Sequence, residues 1–164
     1  MKTNRPSRLS SSGMDLRRIN SGFTLVELMT VITIVAILLA VGIPSFRSFI
    51  LSQRVKTASS DIFFALTLAR SEAIKRNAAV TVTRAAGGWQ DGWAITTGAG
   101  PTILSEHGAF TDLTVAGSQN SLTYGANGRL TGTTAPTFMV TGDSTSRCVS
   151  IELSGLPKTK KGSC

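Results

Sequence analysis

Phe23 to Ile43 reads FTLVELMTVITIVAILLAVGI, an apolar run of 21 residues with one charge, Glu27. At about 1.5 Å of rise per residue, a helix of that length crosses a hydrocarbon core of roughly 30 Å. Pro44 closes the run but need not close the helix, because an internal proline kinks a helix while the flanking turns continue. Beyond it, Leu51, Val55, Ala58, Ile62, Leu66, Ala69 and Ala73 recur at intervals of three and four, leaving Arg54, Lys56, Asp61, Arg70 and Lys75 mostly on other faces. The pattern predicts one helix from Phe23 to about Asn77. Residues 23–43 form its membrane half and 44–77 an amphipathic half, with Asn77 as the C-terminal cap.

From Ala79 the period changes. Short runs of Val, Ile, Thr and aromatic residues, broken by Gly, Pro and Asn, predict strands at 80–84, 93–97, 102–104, 113–115, 122–124, 129–131, 137–141 and 148–153. Gly87-Gly88, Asn127-Gly128 and Gly142-Asp143 supply turns. The fold class is therefore α+β: a long N-terminal helix, transmembrane then amphipathic, packed against an antiparallel β domain over 79–153. With 164 residues there is room for one modest domain beside the apolar segment, which excludes a multidomain enzyme.

Charge adds an orientation. The net +8 is uneven, because residues 1–22 carry Lys2, Arg5, Arg8, Arg17 and Arg18 against Asp15 alone. That cluster outweighs Arg47, Arg54 and Lys56 on the far side of the run, so the positive-inside bias holds the leader in the cytoplasm and places residues 44–164 outside. A secretory signal fits less well, since its apolar core is shorter and its small-residue cleavage site follows the core. Here the small-residue site, Ser21-Gly22, precedes it.

Glu27 has two readings. A carboxylate inside an apolar span costs roughly 2.5 to 3.5 kcal/mol on insertion scales. Either it sits near the headgroups and is solvated, or another chain supplies a cation. The stretch Lys2 to Gly22 followed by Phe23-Thr24-Leu25-Val26-Glu27-Leu28 resembles the class III signal of type IV pilins and type II secretion pseudopilins. The resemblance implies that a prepilin peptidase cuts between Gly22 and Phe23 and methylates the Phe23 amine. It also implies that Glu27 pairs with the Phe23 amine of a neighbouring subunit during assembly, with Phe23 and Pro44 as further assembly positions.

A narrower resemblance covers nearly the whole remainder. Leu68-Ala69-Arg70-Ser71-Glu72-Ala73-Ile74-Lys75-Arg76-Asn77, then Val80, then Gly88-Trp89-Gln90-Asp91-Gly92-Trp93, are similar to the GspH/FimT family of minor pilins and type II secretion minor pseudopilins. Read as residues alone, Trp89 and Trp93 sit across a hairpin corner and plug the core between helix and sheet, against the alternative of ligand stacking.

Cys148 and Cys164 are the only cysteines, and both fall on the side expected to be oxidising, which predicts a disulfide closing the tail 148–164. With His107 as the single histidine there is no tetrahedral metal set, and no cofactor is expected. The same histidine would have to serve any Ser/His/Asp triad. Its setting, a Gly-flanked loop without a nucleophile elbow, predicts no catalysis. Lys158, Lys160 and Lys161, with Arg147 beside the first cysteine, make a basic tail that is either a solvated solubilising segment or a cationic finger for phosphates. The resemblance bears on this choice, because FimT-like minor pilins of competent bacteria bind DNA through a basic C-terminal loop with a Gly-Arg-x-Arg pattern. Here Leu156 and Lys158 stand where the two arginines would be, and no aromatic in the tail is placed to stack bases.

The expectation is thus a single-pass inner-membrane protein, N-terminus cytoplasmic and C-terminal domain periplasmic, that joins other pilins in the initiating or tip complex of a type IV pilus or type II secretion pseudopilus. The alternative is a tip receptor for double-stranded DNA, bound without sequence preference.

Overall fold

The computed structural model describes residues 22–98, 102–143 and 145–164; of the leader expected over 1–22, all but Gly22 lies outside them. The chain divides into two units, one ending at Leu39 and one spanning Ala40–Cys164.

In the first unit, helix α1 (Leu25–Arg76) begins. Thr24 is its N-cap: the Glu27 backbone N–H donates to Thr24 Oγ1 at 3.2 Å and the Leu28 N–H to the Thr24 carbonyl at 3.1 Å. The large apolar side chains that follow, from Leu25 to Leu39, are all solvent-facing within the chain. Among the described residues this is the one helix long and apolar enough to cross a bilayer.

In the second unit α1 passes through position 44 without a break in helical backbone, as expected. Nearby hydroxyls bond back to carbonyls of the preceding turn, Ser45 Oγ to Val41 O at 3.4 Å and Ser48 Oγ to Ser45 O at 2.9 Å. The helix ends where Asn77 adopts φ 49°. The Ala78 N–H reaches the Ala73 carbonyl and the Asn77 N–H the Ile74 carbonyl, the paired bonds of a Schellman cap.

Among the described residues eight strands follow: β1 (Val80–Ala85), β2 (Gly88–Thr97), β3 (Ile103–His107), β4 (Thr114–Gly117), β5 (Ser121–Tyr124), β6 (Thr137–Gly142), β7 (Thr145–Ile151) and β8 (Pro157–Lys161). They form two four-stranded antiparallel sheets, ordered β3-β2-β1-β5 and β4-β6-β7-β8. Val55, Ala58, Ile62, Leu66, Ala69 and Ala73 of the helical stripe are buried against Val80, Val82 and Ile95 of the first sheet and Phe138, Val140, Val149 and Ile151 of the second. Leu51, the first member of the stripe, is only half-buried. Each large side chain so buried contributes about 1.5 to 3 kcal/mol, which stabilises the amphipathic half far beyond its helix propensity.

Several expectations need correction. Residues 129–131 form no strand; only Leu130 bridges Tyr124, because the Asn127-Gly128 turn folds the chain straight back onto β5. The last two strands are 145–151 and 157–161 rather than one at 148–153, so the β domain continues to Lys161 and the tail 148–164 contains a strand of its own. Trp89 and Trp93 lie along one strand, β2, rather than across a corner. His107 ends β3 rather than sitting in a loop.

Both tryptophans are core residues. Trp89 Nε1–H donates to the Gln119 carbonyl at 2.7 Å, and its ring meets Phe138 of the other sheet edge-on with centroids 4.7 Å apart. It thereby joins the two sheets. Trp93 stacks on His107 at 4.4 Å, and His107 Nε2 lies 3.7 Å from Asp61 on the helix.

Candidate functional site

Two regions carry the residues that the sequence singles out. At the N-terminal end, Gly22 has no atom within 4 Å of where a Cβ would stand, so the Gly22–Phe23 peptide bond is open on that side. Phe23 is 81% exposed. Glu27 occupies the first turn of α1, where the unpaired N–H groups favour a carboxylate. It is exposed, and among the described residues no cation pairs with it. Phe23 and Glu27 are thus both presented outward.

At the C-terminal end, Cys148 and Cys164 are bonded, with Cα atoms 5.1 Å apart. The bridge fastens the end of the chain to β7, and β8 lies between them in register, Cys148 opposite Lys160 and Arg147 opposite Lys161. That register separates the four cations. Residues directly opposite in an antiparallel pair share a face, so Lys158 and Lys160 lie on one side with Ser150 and Cys148. Arg147 and Lys161 lie on the other with Val140, on the face that also carries the buried Val149 and Ile151. Arg147 Nε is buried and without a hydrogen-bond partner. Lys158 is not free either, since its Nζ pairs with Glu152. That hydrogen bond and the lysine's charge hold the Glu152 carboxyl below the usual carboxylate range. Of the two readings of the basic tail, the compact cationic finger has the less support, since the segment is a strand with its charges on two faces and one of them neutralised.

Sequence reasoning missed the role of Gly155. Its φ is +82°, and a Cβ there would lie 2.0 Å from the Gly128 carbonyl oxygen and 3.1 Å from Tyr124 Cε1. The turn before β8 packs backbone to backbone on the Asn127-Gly128 turn, whose Gly128 carbonyl accepts from Arg70 Nε of the helix at 3.1 Å. Tyr124 is fully buried beneath, and burial pushes its phenol well above the ordinary range. The signal lay in the glycine between Ser154 and Leu156, which a left-handed turn requires.

Removing the bridge tests what it contributes. Cys148→Ser with Cys164→Ser reopens a loop with a sequence separation of 16, for which chain entropy predicts a loss of roughly 3 kcal/mol. A lower urea midpoint together with faster amide exchange at Lys158 and Lys160 is the expected pair of observations. Unchanged exchange at β8 would show that the strand is held by its ladder alone.

Residues 58–155, more than half of the chain, match the family described as type II transport protein GspH. Residues 17–43 match the prokaryotic N-terminal methylation motif. No curated protein sequence matches. Among solved structures, the type IV minor pilin FimU of Pseudomonas aeruginosa is similar at 25% identity and a TM-score of 0.60, over 66% of this chain and 89% of that one. A second crystal form of FimU gives 27% identity and a TM-score of 0.56, over 64% and 91%. The minor pseudopilin EpsH of the Vibrio cholerae type 2 secretion system shares the fold at 12% identity and a TM-score of 0.55, over 66% of this chain and 97% of that one.

Proposed function

This chain belongs to the GspH family of minor pilins and minor pseudopilins, and from that premise we propose that it is processed between Gly22 and Phe23 and built into the initiating or tip complex of a pilus or pseudopilus. Members of the family are structural subunits that assemble with other pilins or pseudopilins. The apolar helix and the methylation motif mark a membrane-anchored subunit. In this reading a prepilin peptidase removes residues 1–22 on the cytoplasmic face and methylates Phe23, and the domain that follows Pro44 stands in the periplasm.

The observation that carries the proposal is the outward presentation of Phe23 and Glu27 at the start of α1, with no cation for the carboxylate among the described residues. An isolated carboxylate and an isolated ammonium are each costly in lipid, and pairing them between subunits offsets both costs. Mass spectrometry of the chain extracted from cells tests the first step. The expected N-terminus is methylated Phe23, and a chain still carrying residues 1–22 would end the proposal.

The alternative, a receptor for sequence-nonspecific double-stranded DNA using Arg147, Lys158, Lys160 and Lys161, has less geometry behind it. Lys158 is paired and Arg147 lies on the core-facing side. Replacing Lys158, Lys160 and Lys161 together by Glu is expected to leave filament assembly unchanged. Gel shifts at low salt separate the readings, since phosphate contacts are salt-sensitive: lost DNA retention in that variant establishes the receptor, and unchanged retention removes it.

A further inference from the structure

Arg47 is the first charged side chain after the apolar run, four residues past Ile43 and so about 6 Å further along the helix axis. It lines a cleft of about 650 Å³ together with Ser48, Leu51, Arg54, Asp112 and Asp143. Two of the four charges there cancel, because Arg54 Nη1 lies 2.6 Å from Asp112 Oδ2. The other two do not. Arg47 and Asp143 face the same cleft, carry opposite charges, and form no ion pair with each other or with any described residue. Asp143 is held by the β6–β7 turn at φ 46° and is exposed. Leu51 gives the cleft an apolar side, and Phe46 and Phe49 are 65% and 57% exposed on the helix beside Arg47.

A neutral cleft with an unmatched cation and an unmatched anion fits a ligand that carries both charges on adjoining groups. A guanidinium takes a phosphate through two parallel hydrogen bonds, and a carboxylate takes a primary ammonium, which has N–H groups to donate. Arg47 stands one helical turn beyond the membrane run, at the depth of lipid headgroups. We infer that the cleft binds the phosphoethanolamine headgroup of a membrane phospholipid, with Arg47 on the phosphodiester and Asp143 on the ammonium. The inference rests on the reading of residues 23–43 as the membrane anchor, but on no claim about filament assembly. Its consequence is that the domain beginning at Ala40 is held against the bilayer surface by a specific lipid.

The test uses the full chain in detergent, mixed with phosphatidylethanolamine, phosphatidylcholine or phosphatidylglycerol, and counts retained lipid by native mass spectrometry. Phosphatidylethanolamine is expected to be retained over phosphatidylcholine, whose trimethylammonium cannot donate, by about tenfold, the worth of one charge-assisted hydrogen bond. Arg47→Gln should lower retention of phosphatidylethanolamine and phosphatidylglycerol alike. Asp143→Asn keeps a residue suited to the left-handed turn and should erase only the preference for phosphatidylethanolamine. Equal retention of phosphatidylethanolamine and phosphatidylcholine, or an unchanged preference in Asp143→Asn, overturns the inference. Displacement by soluble phosphoethanolamine as readily as by the lipid would make the occupant a free small molecule and overturn the lipid assignment. Release of the wild-type chain from membranes by alkaline carbonate would instead remove the anchor reading on which the inference rests.

Discussion

Glu27→Ala is expected to leave the precursor cut at Gly22 and the mature chain in the membrane, while its amount in sheared filaments falls to background. The substitution changes little within the chain. Glu27 lies in the first turn of α1, exposed, and its backbone N–H is already bonded to Thr24 Oγ1. Losing its favourable position at the helix start costs about 0.3 to 1 kcal/mol, and alanine is the best helix former. The Gly22–Phe23 bond and its open surroundings are untouched. What changes is the balance between lipid and filament. In the proposed reading the carboxylate makes the bilayer unfavourable by roughly 2.5 to 3.5 kcal/mol and a neighbour's ammonium favourable, so its removal is expected to retain the subunit in lipid. Glu27→Gln separates charge from shape, since the amide keeps the size and some hydrogen bonding, and it should fail as alanine does. Immunoblots of filament and membrane fractions, with the N-terminus identified by mass spectrometry in each, measure both steps. Normal filament entry of either variant would refute the counter-ion account.

Gly155→Ala should destabilise the β domain by about 3 kcal/mol or more, the joint cost of a left-handed non-glycine residue and of forcing apart packed backbone. The methyl group would stand 2.0 Å from the Gly128 carbonyl oxygen, which is backbone and has nowhere to yield. Moving Gly128 stretches its bond from Arg70 Nε and uncovers Tyr124, whose buried hydroxyl has no hydrogen-bond partner to hold it in place. Urea denaturation of the chain in detergent, followed by the fluorescence of Trp89 and Trp93, reads the loss directly. Gly132→Ala is the control, because a Cβ there meets nothing within 4 Å and the backbone is not left-handed; its midpoint should stay within about 0.5 kcal/mol of wild type. Equal midpoints for the two variants would mean that the turns around Gly128 and Gly155 separate at no cost.

These two positions also show how differently parts of the chain could be read in advance. Glu27 was visible because a lone charge in an apolar run is a local anomaly. Gly155 carries no such local anomaly, and only the approach of a turn nearly thirty residues earlier gives it a steric role. The same division runs through the β domain. Strands with strong alternation, such as Val80–Ala85 and Thr137–Gly142, were legible within a residue or two. Pro157–Lys161 was not, since a strand with one buried proline followed by exposed polar residues carries no alternating pattern. It exists because β7 offers a free edge and the disulfide brings the chain end back to it.

Local patterns determined the long helix, its cap at Asn77, the stripe from Val55 to Ala73, the processing motif, the α+β class and the family, because periodicity, capping and motif spacing are short-range properties of the chain. Tertiary structure alone decided that the strands divide into two sheets joined by Trp89 on Phe138, and that the tail cations fall on opposite faces. It alone left Arg47 and Asp143 facing one cleft unpaired. Each of these depends on the register between segments far apart in sequence, where a shift of one residue turns every side chain to the other face.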